Sequence, residues 1–118
     1  MSNTSNRVAV ITGAAGGVGQ STVKKFAEQG YTVIGTDIRL PDGLFEHDCV
    51  SYRTCDVTSE TDWQTLAQTT ISEHGKLDVL VNNAAILMTY TIETSSVDDF
   101  KNMMEVNSTS VFLGMKYM

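Results

Sequence analysis

The chain has 118 residues, a hydrophobic content of 42% and a single proline. That composition fits one globular domain with a modest core and excludes a disordered or fibrous chain. Its formal net charge is −6, and its eight basic residues are scattered apart from the pair Lys24 and Lys25, which argues against binding nucleic acid or an anionic membrane.

The start, MSNTSN, is polar and expected to fray. RVAVIT (residues 7–12) is a nearly continuous apolar run, the pattern of a strand covered on both faces in a parallel sheet. Glycines follow at once. A helix is expected over residues 18–29, with Val23, Phe26 and Ala27 inward and Gly30 as its stop. YTVIGTD (31–37) reads as the second strand, LPDGLFEHD as a loop with at most a short helical turn, and VSYRTCDV (50–57) as the third strand. Thr58 or Ser59 is placed to cap a helix in which Trp63, Leu66, Ala67, Thr70 and Ile71 share a face, and Gly75 ends it.

KLDVLVNNA holds the fourth strand and the turn after it. Ser95 or Ser96 caps the last helix, whose first turn carries Asp98 and Asp99. Phe100, Met103, Met104, Val111 and Met115 form an apolar stripe at three- and four-residue spacing, with Asn107 on it. The stripe, Trp63 and the methionines are expected in the core, and His47 and His74 at the surface. Cys49 and Cys55 give neither a disulfide framework nor a metal spacing and read as reduced thiols. No signal-like apolar segment follows Met1, so the default location is cytoplasmic, and no run reaches transmembrane length.

Strand and helix alternate four times. The predicted fold class is therefore α/β, a Rossmann-type doubly wound parallel sheet with helices on both faces. Ligands in such folds bind at the carboxyl ends of the strands, so the residues just after each strand are the candidates. The first strand ends in TGAAGGVG, with Gly13, Gly17 and Gly19 in the spacing GxxxGxG. Glycine allows a sharp turn and close backbone approach, and the following helix offers free N–H groups to a pyrophosphate. The alternative is a tight glycine turn with no ligand.

The second strand ends at Asp37, twenty residues beyond Gly17. A carboxylate there accepts both adenosine ribose hydroxyls and repels a 2′-phosphate, which favours NAD over NADP. Arg39 is the counter-evidence, and a plain loop acid is the alternative. After the third strand, Asp56 is placed for an adenine amino group and Val57 for the ring; a cap or turn serves Asp56 as well. NNAA, residues 82–85, offers Asn side chains to tie strand ends together and small alanines beside a nucleotide, or else a polar turn.

Taken together, TGAAGGVG, Asp37, CDVT, LDVLVNNAA and VNSTS resemble the short-chain dehydrogenase/reductase (SDR) family. The motifs fall in the family's order over nearly the whole chain, with Ala85 where the family usually has Gly. The resemblance implies an NAD-dependent oxidoreductase that moves hydride between nicotinamide and an alcohol or ketone. It implies cofactor contacts at Gly13, Ala15, Gly16, Gly17, Val18 and Gly19, at Asp37 and Ile38, at Asp56 and Val57, and at Asn83, Ala84, Ala85 and Val106. Asn107 matches the family's catalytic Asn, which acts through a helix kink and a bound water.

The family's acid/base is a Tyr with Lys four positions on. Here Tyr31, Tyr52 and Tyr90 are followed at that distance by Gly35, Asp56 and Thr94, and Tyr117 by no residue. Its catalytic Ser lies on a later strand, so Ser108 and Ser110 are read as helix or packing residues. The chain is therefore expected to be the N-terminal, cofactor-binding half, 1–118, of a homo-oligomeric enzyme roughly twice as long. Alone it is expected to be inactive and marginally stable, because the family's fourth strand neighbours a fifth and would here be an open apolar edge. The alternative to an enzyme is a dinucleotide-binding or regulatory module without catalysis.

Overall fold

The computed structural model describes residues 7–118; the expectation of a frayed start at residues 1–6 lies outside them. Four strands form one parallel sheet in the order β3-β2-β1-β4: β1 is Val8–Thr12, β2 Thr32–Asp37, β3 Val50–Thr54 and β4 Val79–Val81. Pairing is in register across the centre, where Val10 faces Ile34 on one side and Leu80 on the other. The chain winds outward from β1 through β2 to β3, then crosses back to place β4 on the far side of β1. The order therefore reverses between β1 and β4, and there a cleft opens at the strands' carboxyl ends.

Every residue of β1 is buried, as its unbroken apolar run requires. Successive side chains go to opposite faces. Val8, Val10 and Ile34 pack with Trp63, Leu66 and Leu113 on one face, and Ile11 and Val33 with Val23 and Ala27 on the other. Helix α1 (Gly17–Glu28) covers the second face; α2 (Glu60–His74) and α4 (Ser110–Tyr117) cover the first. Gly30 ends α1 with φ +88°, and the Tyr31 and Gly30 N–H groups donate back to Phe26 O and Ala27 O, the paired C-terminal closure that a left-handed glycine permits. Ser59, rather than Thr58, caps α2 by accepting from Asp62 N–H, and Gly75 closes it at φ +80°. In α2, Trp63, Leu66 and Thr70 are buried, whereas Ile71 is 55% exposed and Ala67 half-buried.

The last helix departs most from expectation. Ser96 caps α3 (Val97–Met104), a π-helical turn follows over Glu105–Thr109, and α4 completes it. Most of the stripe predicted as buried faces outward: Phe100, Met104 and Met115 are 62%, 46% and 68% exposed, and Met103 and Val111 are half-buried. The face turned to the sheet is rotated by about one residue and holds Ser110, Leu113 and Gly114. A Cβ on Gly114 would lie 2.8 Å from Asn82 Oδ1 and 3.0 Å from the Trp63 ring. The helix thus approaches the sheet through Ser110 and Gly114 beside Leu113, while Phe100, Phe112 and Met115 remain outside.

β4 is an edge strand whose three residues are only half-buried. Just before it, Asp78 Oδ2 accepts from Val8 N–H at 2.7 Å while Asp78 N–H donates to Val8 O at 2.9 Å. That exchange extends the pairing of β1 and β4. The Val8 N–H, helped by Lys76 and opposed by some desolvation, holds the Asp78 carboxyl below its ordinary value. A carboxyl lowered by folding stabilises the fold above its unfolded pKa of about 4 and loses that contribution as pH falls through the folded value. Asp78→Asn is therefore expected to melt at lower urea than the natural chain at neutral pH, with the gap narrowing below about pH 4. A gap of constant size across that range would contradict the assignment.

Candidate functional site

The site begins at Thr12, the last residue of β1 and 1% exposed. Its Oγ1 accepts from Asn83 N–H and Ala84 N–H, both at 3.0 Å, and donates to Val81 O at 3.4 Å. One hydroxyl has one proton and two acceptor positions, so its capacity is fully used. Asn83 adds a bond from Nδ2 to Gly13 O at 3.2 Å. The two strand ends are thus joined through side chains just beyond their last ladder bonds.

Gly13 turns the chain at φ +65°, and a Cβ there would sit 2.9 Å from Ala84 Cα. A Cβ on Gly19 would strike the Gly13 carbonyl. Both glycines are required by the protein's own packing. Gly16 and Gly17 differ: a Cβ on Gly17 would meet nothing within 4 Å, and one on Gly16 only the Gly13 carbonyl at 3.6 Å. The first turn of α1 has no side-chain cap and no acidic residue, whereas Ser59 with Glu60 and Asp62, and Ser96 with Asp98 and Asp99, serve α2 and α3. The opening N–H groups of α1 have no partner within the helix and carry its positive end, beside open space.

The opposite wall comes from β2, β3 and the turn after β4. Asp37 accepts Ala15 N–H on Oδ2 at 3.0 Å and Ile38 N–H on Oδ1 at 2.8 Å. Asp56 serves as the turn residue considered for it. Its Oδ1 accepts both Thr58 N–H and Thr58 Oγ1–H, forming the turn into α2, and the residue still borders the cleft. Trp63 Nε1 donates to Val57 O at 2.8 Å and fixes that backbone from the core side. The cleft is open on one side and about 400 Å³, within the range of small-ligand sites.

Of the sequence-predicted cofactor residues, all but Ala15 line this one cleft, from Gly13, Gly16, Gly17, Val18 and Gly19 through Asp37, Ile38, Asp56 and Val57 to Asn83, Ala84, Ala85 and Val106. Ala15 does not line the cleft; its N–H donates to Asp37 and so braces the wall. Two further lining residues, Cys55 and Ile86, were missed. Cys55 adjoins Asp56 in CDVT and was open to inference; its thiol is pushed up to about 12 by burial, with Asp62 and Asp56 adding to the shift, and stays protonated at neutral pH. Ile86 depends on tertiary contact. Asn107, in the π turn, accepts from Ile86 N–H and donates to Ile86 O, each at 2.7 Å. Its side chain thus holds the loop after β4 rather than lying in a core.

Among the other expectations, His47 is exposed, but His74 is half-buried, with Nε2 out of solvent and 3.8 Å from Glu73. Ser110 is a packing residue, buried and donating to Val106 O. Among the described residues no group of three or more potential ligands could hold a metal, and no helix is long and apolar enough to cross a membrane.

A four-stranded parallel α/β sheet, with a cleft at its reversal point and an uncapped glycine-rich helix start facing it, defines a doubly wound protein of the Rossmann type. The family model of the short chain dehydrogenases matches residues 7–118, and the chain belongs to that family. It is 40% identical over 117 residues to a mitochondrial borneol dehydrogenase of Lavandula x intermedia, covering 94% of this chain and 44% of the relative. It is 37% identical over 112 residues to a 3-beta-hydroxysteroid dehydrogenase of Comamonas testosteroni, covering 92% and 44%. The ligand-free aldohexose dehydrogenase of Thermoplasma acidophilum superposes with a TM-score of 0.86 at 29% identity, over 94% of this chain and 42% of that one. The chain spans a little under half the length of these relatives.

Thr12→Val keeps the shape of the junction and removes its hydroxyl. Two N–H groups at the cleft wall then lose their acceptor, at an expected cost of about 1–3 kcal/mol. Urea melts should show that loss, hydrogen exchange should quicken at the Asn83 and Ala84 amides, and Thr12→Ser should recover most of both. Unchanged exchange at those amides would remove Thr12 from this role.

Proposed function

We propose that the cleft binds NAD and that the protein to which these residues belong is an NAD-dependent oxidoreductase acting on alcohols and ketones. The observation that carries the reading is the convergence of all four strand ends on the free N-terminus of α1, beside two glycines whose missing side chains leave open space. Such a helix start suits a pyrophosphate. Asp37 suits the adenosine ribose, since each carboxylate oxygen spends one acceptor position on a backbone N–H and keeps another for a hydroxyl. The same negative charge disfavours the 2′-phosphate of NADP. Asp56 and Val57 suit the adenine, and the small Ala84 and Ala85 let the nicotinamide half pass close to the turn after β4.

Bound there, the nicotinamide supplies or takes up the hydride. This chain's residues hold and orient the dinucleotide, so that only one geometry remains for transfer. Asn107, fixed by its two bonds to Ile86, is assigned to the catalytic group as the residue that shapes the π turn beside the reacting end. Such a transfer would also need a base near the substrate oxygen to hold the hydroxyl proton. The Tyr and Lys that serve the family in that role are not paired in these 118 residues. The substrate class, a small or apolar alcohol or ketone such as a sugar or steroid, follows the relatives named borneol, aldohexose and hydroxysteroid dehydrogenase.

Isothermal titration of the chain with NAD and NADP tests the reading. NAD is expected to bind the more tightly. Asp37→Ala is expected to weaken NAD about 10- to 100-fold, the loss of charge-assisted bonds, and to relax the preference over NADP. Failure of both nucleotides to bind at millimolar concentration would overturn the cofactor assignment. With NAD and a panel of alcohols the 118 residues alone are expected to form no NADH; turnover would show that the base lies among them.

A further inference from the structure

The connection from β2 to β3, residues 38–49, contains turns and no helix. Parallel strands are ordinarily joined through a helix that covers the sheet, so this crossover needs another way to hold its position. Tyr52 on β3 supplies the cover. Its ring lies over Gly35 so closely that a Cβ there would be 2.8 Å from it, with Ala14 at 2.9 Å. Gln20, in the first turn of α1, supplies the hold. Its Oε1 accepts from Phe45 N–H at 2.7 Å, and its Nε2 donates to Ala14 O at 2.8 Å and to Tyr52 Oη at 3.1 Å. Tyr52 Oη then donates to Phe45 O at 2.7 Å. Gln20, Phe45 and Tyr52 form a closed ring of hydrogen bonds, tied through Ala14 to the glycine-rich turn.

Among the described residues, the hydrogen bonds that hold the segment between lie at its ends. Asp37 is fixed at one end through Ala15 N–H and Phe45 at the other through Gln20. In the stretch 38–44, Ile38 borders the cleft, Arg39 is exposed, and Gly43 at φ +85° has open space around it. We infer that Gln20 is a positioning residue for nucleotide selection: its amide latches the helix-less crossover to α1 and thereby sets where residues 38–44 lie relative to the ribose end of the cleft. The inference rests on the proposed binding of a dinucleotide. With the latch closed, the Asp37 carboxylate faces the ribose and Arg39 is kept from it. With the latch open, the segment moves and Arg39 reaches a 2′-phosphate.

The test uses Gln20→Leu and Tyr52→Phe in the full 118-residue chain; the second removes one oxygen and leaves the ring on Gly35, so it keeps the fold if the first does not. Hydrogen exchange at the Phe45 amide reports the latch, and titration with NAD and NADP reports selection. Each variant is expected to speed exchange at Phe45, to weaken NAD about three- to tenfold, the range set by one or two lost hydrogen bonds, and to weaken NADP less, so that the ratio narrows. The double variant is expected to be no worse than the more affected single one. Equal weakening of both nucleotides, or an unchanged ratio beside faster exchange at Phe45, overturns the selective role. Unchanged exchange overturns the latch. A natural chain that binds neither nucleotide overturns the cofactor reading and this inference with it, whereas one that binds NAD while both variants keep its ratio overturns the inference alone.

Discussion

Between β1 and β4 the backbone comes so close that Gly13 has no room for a Cβ beside Ala84, and the hydroxyl of Thr12 takes the N–H groups of Asn83 and Ala84. The rest of the binding surface depends on this junction. It closes the ladder where the strand order reverses, and it makes both strands turn away in opposite directions, β1 into α1 and β4 into the loop held by Asn107. A cleft results without any residue being removed from the core. Its floor is backbone already satisfied by Thr12 and Asn83, which is why a polar ligand can lie against it without leaving buried donors unpaired.

The glycines divide by what surrounds them. At Gly13, Gly19, Gly35 and Gly114 the space of a side chain is taken by the protein: by Ala84, by the Gly13 carbonyl, by Tyr52, and by Asn82 with Trp63. At Gly16 and Gly17 it is open. The first group serves packing, and the second leaves room at the helix start. A pattern of letters such as GxxxGxG does not separate the two, because both kinds fall within the same seven residues.

The same distinction explains what could be read from the sequence. The β1 run, an α2 cap at Thr58 or Ser59, the glycine stops and the strand ends all rest on local signals, such as apolar runs, caps and turn residues, and each lies where those signals put it, the cap at Ser59. The last helix was misread because apolar bulk was taken to mark the buried face. Close packing there uses Ser110 and Gly114 instead, and the bulky Phe100, Met104 and Met115 face out. Ala15 and Ile86 are less legible for a related reason. Their places depend on bonds to Asp37 and Asn107, 22 and 21 residues away, which no local pattern carries. Nor did local pattern show that a ring of polar groups, rather than a short helical turn, holds the crossover before β3.

Asp37 draws these features together. One carboxylate oxygen braces the glycine turn through Ala15, and the other closes its own strand end through Ile38. Each such bond uses one of two acceptor positions, so the group that orders the wall can also meet a ligand donor. In a neutral amide of similar size an NH2 donor would replace one of the two oxygens and face a backbone N–H that needs an acceptor. A longer acid would hold the turn less rigidly, with one more rotatable bond to restrain. The carboxylate's place at the end of β2 therefore follows first from the fold's need to anchor the turn. The selection proposed for it, of a ribose hydroxyl over a phosphate, draws on that same geometry, and the bond from Phe45 N–H to Gln20 anchors the crossover that follows it.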